Sequence, residues 1–233
     1  MIPIGSNIPS VGIPHSTDKA THTARENLAF WRDQAGVREG EFLLAYFGFI
    51  NHTKGVDTLL HALALLRTER PAFRLVMIGG RTGSSDPTNA TAADQIDQII
   101  AQAGLAPVIQ QTGFADDATV SAYLRASDAV VLPYRDGASY RRGSLMAAVA
   151  HACVIITTTP QVTIPTFQHG ENMLFVSPDD PHALAEQLRL VAADSALRRR
   201  LATGAAALAH AFDWDSIAGA YTHFFTHVIE TQA

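Results

Sequence analysis

Residues 42–66 read FLLAYFGFINHTKGVDTLLHALALL, an apolar run that leads through a polar turn into a helical pattern. In Phe42–Phe49 nearly every residue is apolar, which is typical of a strand buried on both faces of a parallel sheet. From Val56 to Leu66 the apolar residues recur at helical spacing and fall on one helix face. A strand followed by a helix in this way predicts an α/β fold.

The same alternation continues along the chain. Five more apolar runs predict strands at Phe73–Ile78, Val108–Thr112, Ala129–Pro133, Cys153–Thr157 and Met173–Val176. Helical patterns cover Thr23–Gln34, Ala92–Ala103, Thr119–Ala126, Ser144–His151, His182–Ala192, Ser195–Ala211 and Trp214–Ile229, and a mobile loop is predicted over Arg81–Ala90. We expect a Rossmann-like, doubly wound parallel sheet of about six strands, with helices on both faces and C-terminal helices at one side.

The length and charge of the chain limit its class. It has 233 residues, which at about 150 residues per domain predicts one large domain or two small ones. Residues 1–18 carry three prolines and two glycines and predict a linker-like arm, which leaves 19–233 as the folded domain. A formal net charge of -5 provides no basic surface, which argues against nucleic acid as a partner.

Location and redox chemistry also follow from composition. No apolar stretch approaches the ~20 residues of a membrane span, and the first residues lack the pattern of a signal peptide. We therefore expect a cytoplasmic protein without a transmembrane segment. The single cysteine, Cys153, excludes an intrachain disulfide, and its apolar sequence neighbours predict a buried thiol.

The turn after the first predicted strand, Gly48–Gly55, is a candidate phosphate site. Gly48 permits close approach of a ligand to the backbone, and Lys54 places an ammonium group beside the start of a helix. Such helix starts attract phosphate through the helix dipole and unpaired amides. The order of residues is not that of a Walker loop. A solvated lysine near a helix start is the alternative interpretation.

The turn after the fourth predicted strand is the second candidate. Arg141 and Arg142 adjoin the amides of Gly143 and Ser144, where a helix is predicted to begin. Guanidinium groups bind phosphate oxygens through paired donors, so this turn is suited to a diphosphate. The alternative is one surface arginine and one arginine paired with Asp136.

Several motifs of metal, dinucleotide and hydrolase sites are missing from the sequence. His223 and His227 have a spacing that could bind a metal, but no glutamate stands next to either histidine, so helix packing or exposure is favoured. The chain has neither a Gly-x-Gly-x-x-Gly fingerprint nor a Gly-x-Ser-x-Gly elbow. Neither a metal site nor a hydrolase triad is therefore predicted.

Five segments occur in an order that points to one family. They are the Gly48–Gly55 turn, Gly113–Phe114, SDAVVLP at 127–133, HGENMLFVSPDDPHALA at 169–185 and FDW at 212–214. In this order they resemble the C-terminal, nucleotide-sugar-binding half of family 4, or group 1, glycosyltransferases of the GT-B fold. The resemblance covers nearly the whole chain, from the linker-like start to the last helix.

The resemblance implies a function. It implies a retaining hexosyltransferase in which this chain is the donor domain, binds a nucleoside-diphosphate sugar and needs neither metal nor other cofactor. The acceptor would be held by a missing N-terminal domain. The last helix would then expose an apolar face with Phe224, Phe225 and Ile229, or bury it in a homo-oligomer. The residues implied for the donor and its phosphates are Gly48, Lys54, Ser139, Arg141, Arg142, Gly143 and Ser144, with Gly113 and Phe114 at the base.

Three positions depart from the family pattern. The arginine that usually follows the first glycine is Phe49 here, and the two glutamates of the Glu-x7-Glu motif are Ser139 and Ala147. The resemblance therefore assigns no catalytic residue. A non-catalytic nucleotide-binding, sugar-binding or interaction module is the second interpretation of the chain, and an unrelated flavodoxin-like domain is a third.

Overall fold

The computed structural model describes residues 4–9, 28–80 and 87–232, and within them six strands form one sheet. The strands are β1 (Phe42–Phe47), β2 (Phe73–Ile78), β3 (Ile109–Gln111), β4 (Ala129–Leu132), β5 (Ile155–Thr158) and β6 (Leu174–Val176). Their order is β3-β2-β1-β4-β5-β6, and every pairing is parallel. The predicted doubly wound sheet of about six parallel strands is confirmed.

Helices connect the strands and form the C-terminal part of the chain. Residues 28–34 are helical (α1), and the predicted helix start at Thr23 lies outside the described residues. The others are α2 (Val56–Leu65), α3 (Pro87–Gln102), α4 (Asp117–Ala126), α5 (Gly143–Ala150), α6 (Pro181–Ala193), α7 (Ser195–Ala209) and α8 (Trp214–Gln232). Short 3-10 turns occupy His52–Lys54, Ala106–Val108 and His210–Phe212.

The boundaries differ from the predictions where local chemistry intervenes. β1 ends before Gly48, whose φ of 142° turns the chain out of the sheet. Val108 belongs to a 3-10 turn rather than to β3. The predicted loop at Arg81–Ala90 was wrong for 87–90, because α3 begins at Pro87, and proline suits a first helical position where no amide hydrogen is required.

The central strands are covered on both faces. Leu43, Leu44 and Ala45 in β1 are fully buried, as are both isoleucines of β5. The continuous apolar runs reflect this double burial. Cys153 is buried as predicted, and burial raises the pKa of its thiol to about 12.

A polar contact ties the amino-terminal edge of the sheet together. The Asp128 carboxylate accepts hydrogen bonds from the Leu43 amide at 2.7 Å and from the Arg32 guanidinium at 2.9 Å. Arg32 also donates to the carbonyls of Ala126 and Glu41 at 2.9 and 3.1 Å. Asp128, the residue before β4, therefore joins α1 to the start of β1.

The C-terminal helix has an exposed apolar face. Within the single chain, Phe224, Phe225 and Ile229 are 52%, 57% and 69% exposed. Over the described residues, no helix combines the length and hydropathy needed to cross a membrane.

We expect Asp128→Asn to lower the free energy of unfolding by about 1.5–3 kcal/mol, the range for hydrogen bonds to a charged group. Asparagine keeps the shape of the side chain but loses the charge that attracts Arg32. Urea denaturation would measure the change, with the exposed Glu39→Gln as the control. Equal transition midpoints for the two variants would contradict the structural role of Asp128.

Candidate functional site

The two candidate turns meet at one point of the sheet. β1 continues through β2 to β3 on one side of the sheet, whereas β4 lies against the other side of β1. In open parallel sheets, the carboxyl ends of the strands at such a reversal form a crevice. The β1–α2 turn, which holds Lys54, and the β4–α5 turn, which holds Arg142, border this crevice.

Local hydrogen bonds shape the β1–α2 turn. The buried Tyr46 hydroxyl donates to the Phe49 carbonyl at 2.9 Å, just after the bend at Gly48. The Asn51 side chain accepts from the amide and hydroxyl of Thr53 at 3.1 and 2.9 Å. These contacts fix the single 3-10 turn that ends at Lys54.

Gly55 brings the two turns to backbone contact. Its φ is +63°, and a Cβ at this position would lie 2.0 Å from the carbonyl oxygen of Pro133. Only glycine combines this left-handed conformation with such a close approach.

Arg135 joins three loops, and sequence reasoning missed this role. Its guanidinium donates to the His52 carbonyl at 2.6 Å, to Asp57 at 2.5 Å and to Asp179 at 2.7 Å. Burial disfavours its charge, but the two carboxylates outweigh this and raise its pKa. The only signal in the sequence was an arginine in one turn with a carboxylate, Asp57, at the start of the neighbouring helix.

The Tyr134 ring lies next to two of the predicted cations. It is fully buried, and its hydroxyl shares a 2.7 Å hydrogen bond with the Ser144 hydroxyl. The Lys54 Nζ lies 5.1 Å from the centre of the Tyr134 ring, and the Arg142 Cζ lies 4.6 Å from it. Both distances are within the range of cation–π contacts, so one ring holds a cation from each turn.

The electrostatics at this point favour an anion. Burial lowers the pKa of Lys54, and the neighbouring Arg142 lowers it further, while Asp136 acts in the opposite direction. Arg142 forms an ion pair with Asp136. Arg142 is also the N-cap residue of α5, and its side chain makes no capping hydrogen bond there. The first amides of α5, those of Gly143 and Ser144, are therefore not capped by the Arg142 side chain.

Two more of the predicted donor residues, Ser139 and Arg141, line a cleft together with Arg142. The cleft has a volume of about 650 Å³ and is bordered by Ser139, Arg141, Arg142 and the loop 161–165. Arg141 is exposed, and its amide donates to the Ser139 hydroxyl at 3.4 Å. The exposed Arg141 and the pair between Arg142 and Asp136 match the alternative interpretation of this turn. Arg142 nevertheless lies at the same tyrosine ring as Lys54.

Three predicted or family positions lie away from the cations. Gly113 follows β3 and forms an isolated bridge with Gly79, and Phe114 is 89% exposed. Both lie at the carboxyl edge of the sheet, two strands from β1. Ala147 is fully buried in α5. In the part of the chain that the structure describes, no three His, Cys, Asp or Glu side chains are grouped as metal ligands would be.

The strand order and the position of the crevice define a Rossmann-like α/β domain. A family model described as glycosyl transferases group 1 matches residues 28–207. The chain therefore belongs to the group 1 glycosyltransferases, and its fold is that of the C-terminal domain of GT-B enzymes.

Individual proteins agree with this assignment. The D-inositol 3-phosphate glycosyltransferase of Jonesia denitrificans is 32% identical over 186 residues, which are 77% of this chain and 41% of that protein. The solved C-terminal domain of the group 1 glycosyltransferase LpcC from Francisella tularensis is 26% identical, with a TM-score of 0.64 over 78% of this chain and 90% of that domain. The chain spans about half the length, or less, of the curated relatives it matches.

A further solved structure shows the same fold at lower identity. Anabaena Alr3699/HepE, solved in complex with UDP and glucose, is 20% identical with a TM-score of 0.74. The match covers 86% of this chain and 52% of that protein.

The contact between the two turns can be tested with two glycines of similar conformation. Gly40 has a φ of +78° with no atom near its Cβ position, so Gly40→Ala should cost about 1 kcal/mol for the backbone conformation alone. Gly55→Ala should cost at least about 2 kcal/mol more, because its methyl group overlaps the Pro133 carbonyl. Thermal or urea unfolding of both variants would measure the difference, and equal losses would contradict the close approach.

Proposed function

We propose that this chain is the donor-binding part of a retaining hexosyltransferase that uses a nucleoside-diphosphate sugar. In this proposal the acceptor is held by a second domain or chain, and the reaction takes place between the two parts. The observation that carries the proposal is the convergence of Lys54 and Arg142 over the Tyr134 ring, at the start of α5. The family assignment supports the transferase class.

The proposed role of the cations is to bind the diphosphate and to stabilise it as a leaving group. A guanidinium has five donors, so Arg142 can keep its pair with Asp136 and still donate to phosphate oxygens. Lys54 and the amides of Gly143 and Ser144 complete the anion site. Because these groups are held in place before the sugar bond breaks, they favour the charge that develops on the leaving group.

We propose that the chain's own cations, rather than a metal ion, balance the charge of the diphosphate. Lys54 and Arg142 supply two positive charges, and Arg141 lines the same cleft as Arg142. The remaining parts of the donor are assigned by position: the hexose beside Ser139, and the base toward Gly113 and Phe114. Since HepE was solved with UDP, uridine diphosphate is the first nucleotide to test.

A specific observation favours a second candidate, a non-catalytic nucleotide-binding module. Ser139 cannot ionise, and Ala147 is fully buried and has no polar group, so the two family glutamates have no substitute at their own positions. The two candidates differ in turnover. A non-catalytic module would bind UDP but leave a UDP-sugar intact in the presence of an acceptor-binding partner.

The diphosphate site can be tested by substitution. Lys54→Ala and Arg142→Gln should each weaken UDP binding by about 10-fold or more, since each removes a charged donor worth roughly 1.5–3 kcal/mol. Uridine binding should change little, because uridine lacks phosphate. Isothermal titration calorimetry would measure the affinity for both ligands. The control is Arg70→Gln, an exposed arginine that precedes β2 at the amino-terminal edge of the sheet. Equal losses for UDP and uridine would place the two cations outside the diphosphate site.

The lowered pKa of Lys54 predicts a pH dependence. As pH rises through this pKa the ammonium becomes neutral, so UDP affinity should fall at a lower pH than the value of about 10.4 for an ordinary lysine. Lys54→Arg should keep its charge and give a flatter profile. Titrations between pH 7 and pH 10 would compare the two proteins, and parallel profiles would contradict a role for the Lys54 charge.

A further inference from the structure

Residues 4–9, called the arm segment below, reach the turn that carries the proposed phosphate ligands. The Ile4 amide donates to the Tyr140 carbonyl at 3.5 Å. Tyr140 stands between Ser139 and Arg141 in the β4–α5 turn. A segment more than 130 positions away in sequence therefore contacts the backbone of the candidate site.

The arm segment also contacts the start of α8. The Trp214 indole donates to the Ser6 carbonyl at 2.9 Å. Gly5 is buried against this indole, and a Cβ at position 5 would lie 2.8 Å from the ring and 3.1 Å from the Phe212 carbonyl oxygen. The space between the arm segment and α8 therefore admits no side chain at position 5.

Tyr140 is fixed within an aromatic cluster beneath the arm segment. Its ring centre lies 5.3 Å from that of Phe167 and 5.6 Å from that of Phe212, and both phenylalanines are buried. Its hydroxyl shares a 2.9 Å hydrogen bond with the Thr166 hydroxyl. Asp213 alone separates Phe212 from α8, so the cluster connects Tyr140 to the start of that helix.

On its other side Tyr140 belongs to a tight turn that ends at Arg142. The Arg142 amide donates to the Ser139 carbonyl at 3.2 Å, and the Arg141 amide donates to the Ser139 hydroxyl at 3.4 Å. These bonds enclose Tyr140, so a displacement of its backbone would also displace Ser139 and Arg142.

We propose that the arm segment and Trp214 act as a positioning contact, which holds Tyr140 and thereby sets the position of Arg142 at the phosphate site. The inference rests on the proposed function. It adds that the arm segment, together with any part of a protein attached to it, is energetically coupled to donor binding. Because such coupling is reciprocal, bound diphosphate also stabilises the docked arm segment.

A double-mutant cycle on the full chain tests this contact. Gly5→Val places a side chain against Trp214 and should weaken UDP binding about 10-fold, whereas in the Arg142→Gln background the same change should weaken it less than about twofold. Gly219→Val is the matched control, because position 219 in α8 has no atom within 4 Å of the added Cβ. If Gly5→Val does not fold, Trp214→Phe replaces it in the cycle; this change removes the indole donor to Ser6 together with part of the ring system beside Gly5.

A fluorescence measurement tests the reciprocal effect without a change at the site. The chain has two tryptophans, so Trp31→Phe leaves Trp214 as the single reporter. UDP should shift the Trp214 emission with the dissociation constant found by calorimetry, and uridine should not.

The outcomes separate the two proposals. Normal UDP binding with an additive cycle, or with an unchanged Trp214 emission, would overturn the positioning contact and leave the proposed function intact. If the unsubstituted chain does not bind UDP, the proposed function fails and the positioning contact fails with it.

Discussion

The Arg135 guanidinium is the contact on which the geometry of the site depends. It takes one partner from the β1–α2 turn, one from α2 and one from the loop before α6, namely His52, Asp57 and Asp179. Without it, the Asp57 and Asp179 carboxylates would lose the cation that they share. Because β1 and β4 are adjacent, this cross-link places Lys54 and Arg142 over the same tyrosine ring.

The two turns together carry more positive than negative charge, and this arrangement disfavours the charged form of Lys54. Lys54 and Arg142 repel each other, and burial penalises the lysine charge, as the lowered pKa of Lys54 records. The Tyr134 ring and the Asp136 carboxylate offset part of this cost. In the proposed donor complex, the diphosphate between the two turns would offset the rest.

Features that a local sequence pattern encodes, such as the strands, could be predicted. Contacts between residues far apart in the chain could not. The apolar runs located the strands because double burial requires apolar side chains on both faces, and Lys54 and Arg142 were predicted as candidate phosphate ligands because each stands beside a helix start. Arg135 and Tyr134 were missed, since neither has a local signature and their roles depend on partners far along the chain. The start of α3 was misplaced because the polar composition of 81–90 masked the helix that Pro87 begins.

The chemistry available within this chain is unevenly divided between the steps of a glycosyl transfer. Among the described residues that line the cleft, Asp136 is the acid, and it is already paired with Arg142. Ser139 and the buried Ala147 add no ionisable group, so these positions offer no free carboxylate to accept a proton, whereas the role proposed for Lys54 and Arg142 is to bind the departing diphosphate. In the proposed function, this chain binds the leaving group and a second domain or chain binds the acceptor. The contacts of the arm segment with Trp214 and Tyr140 would then connect the two halves of the reaction.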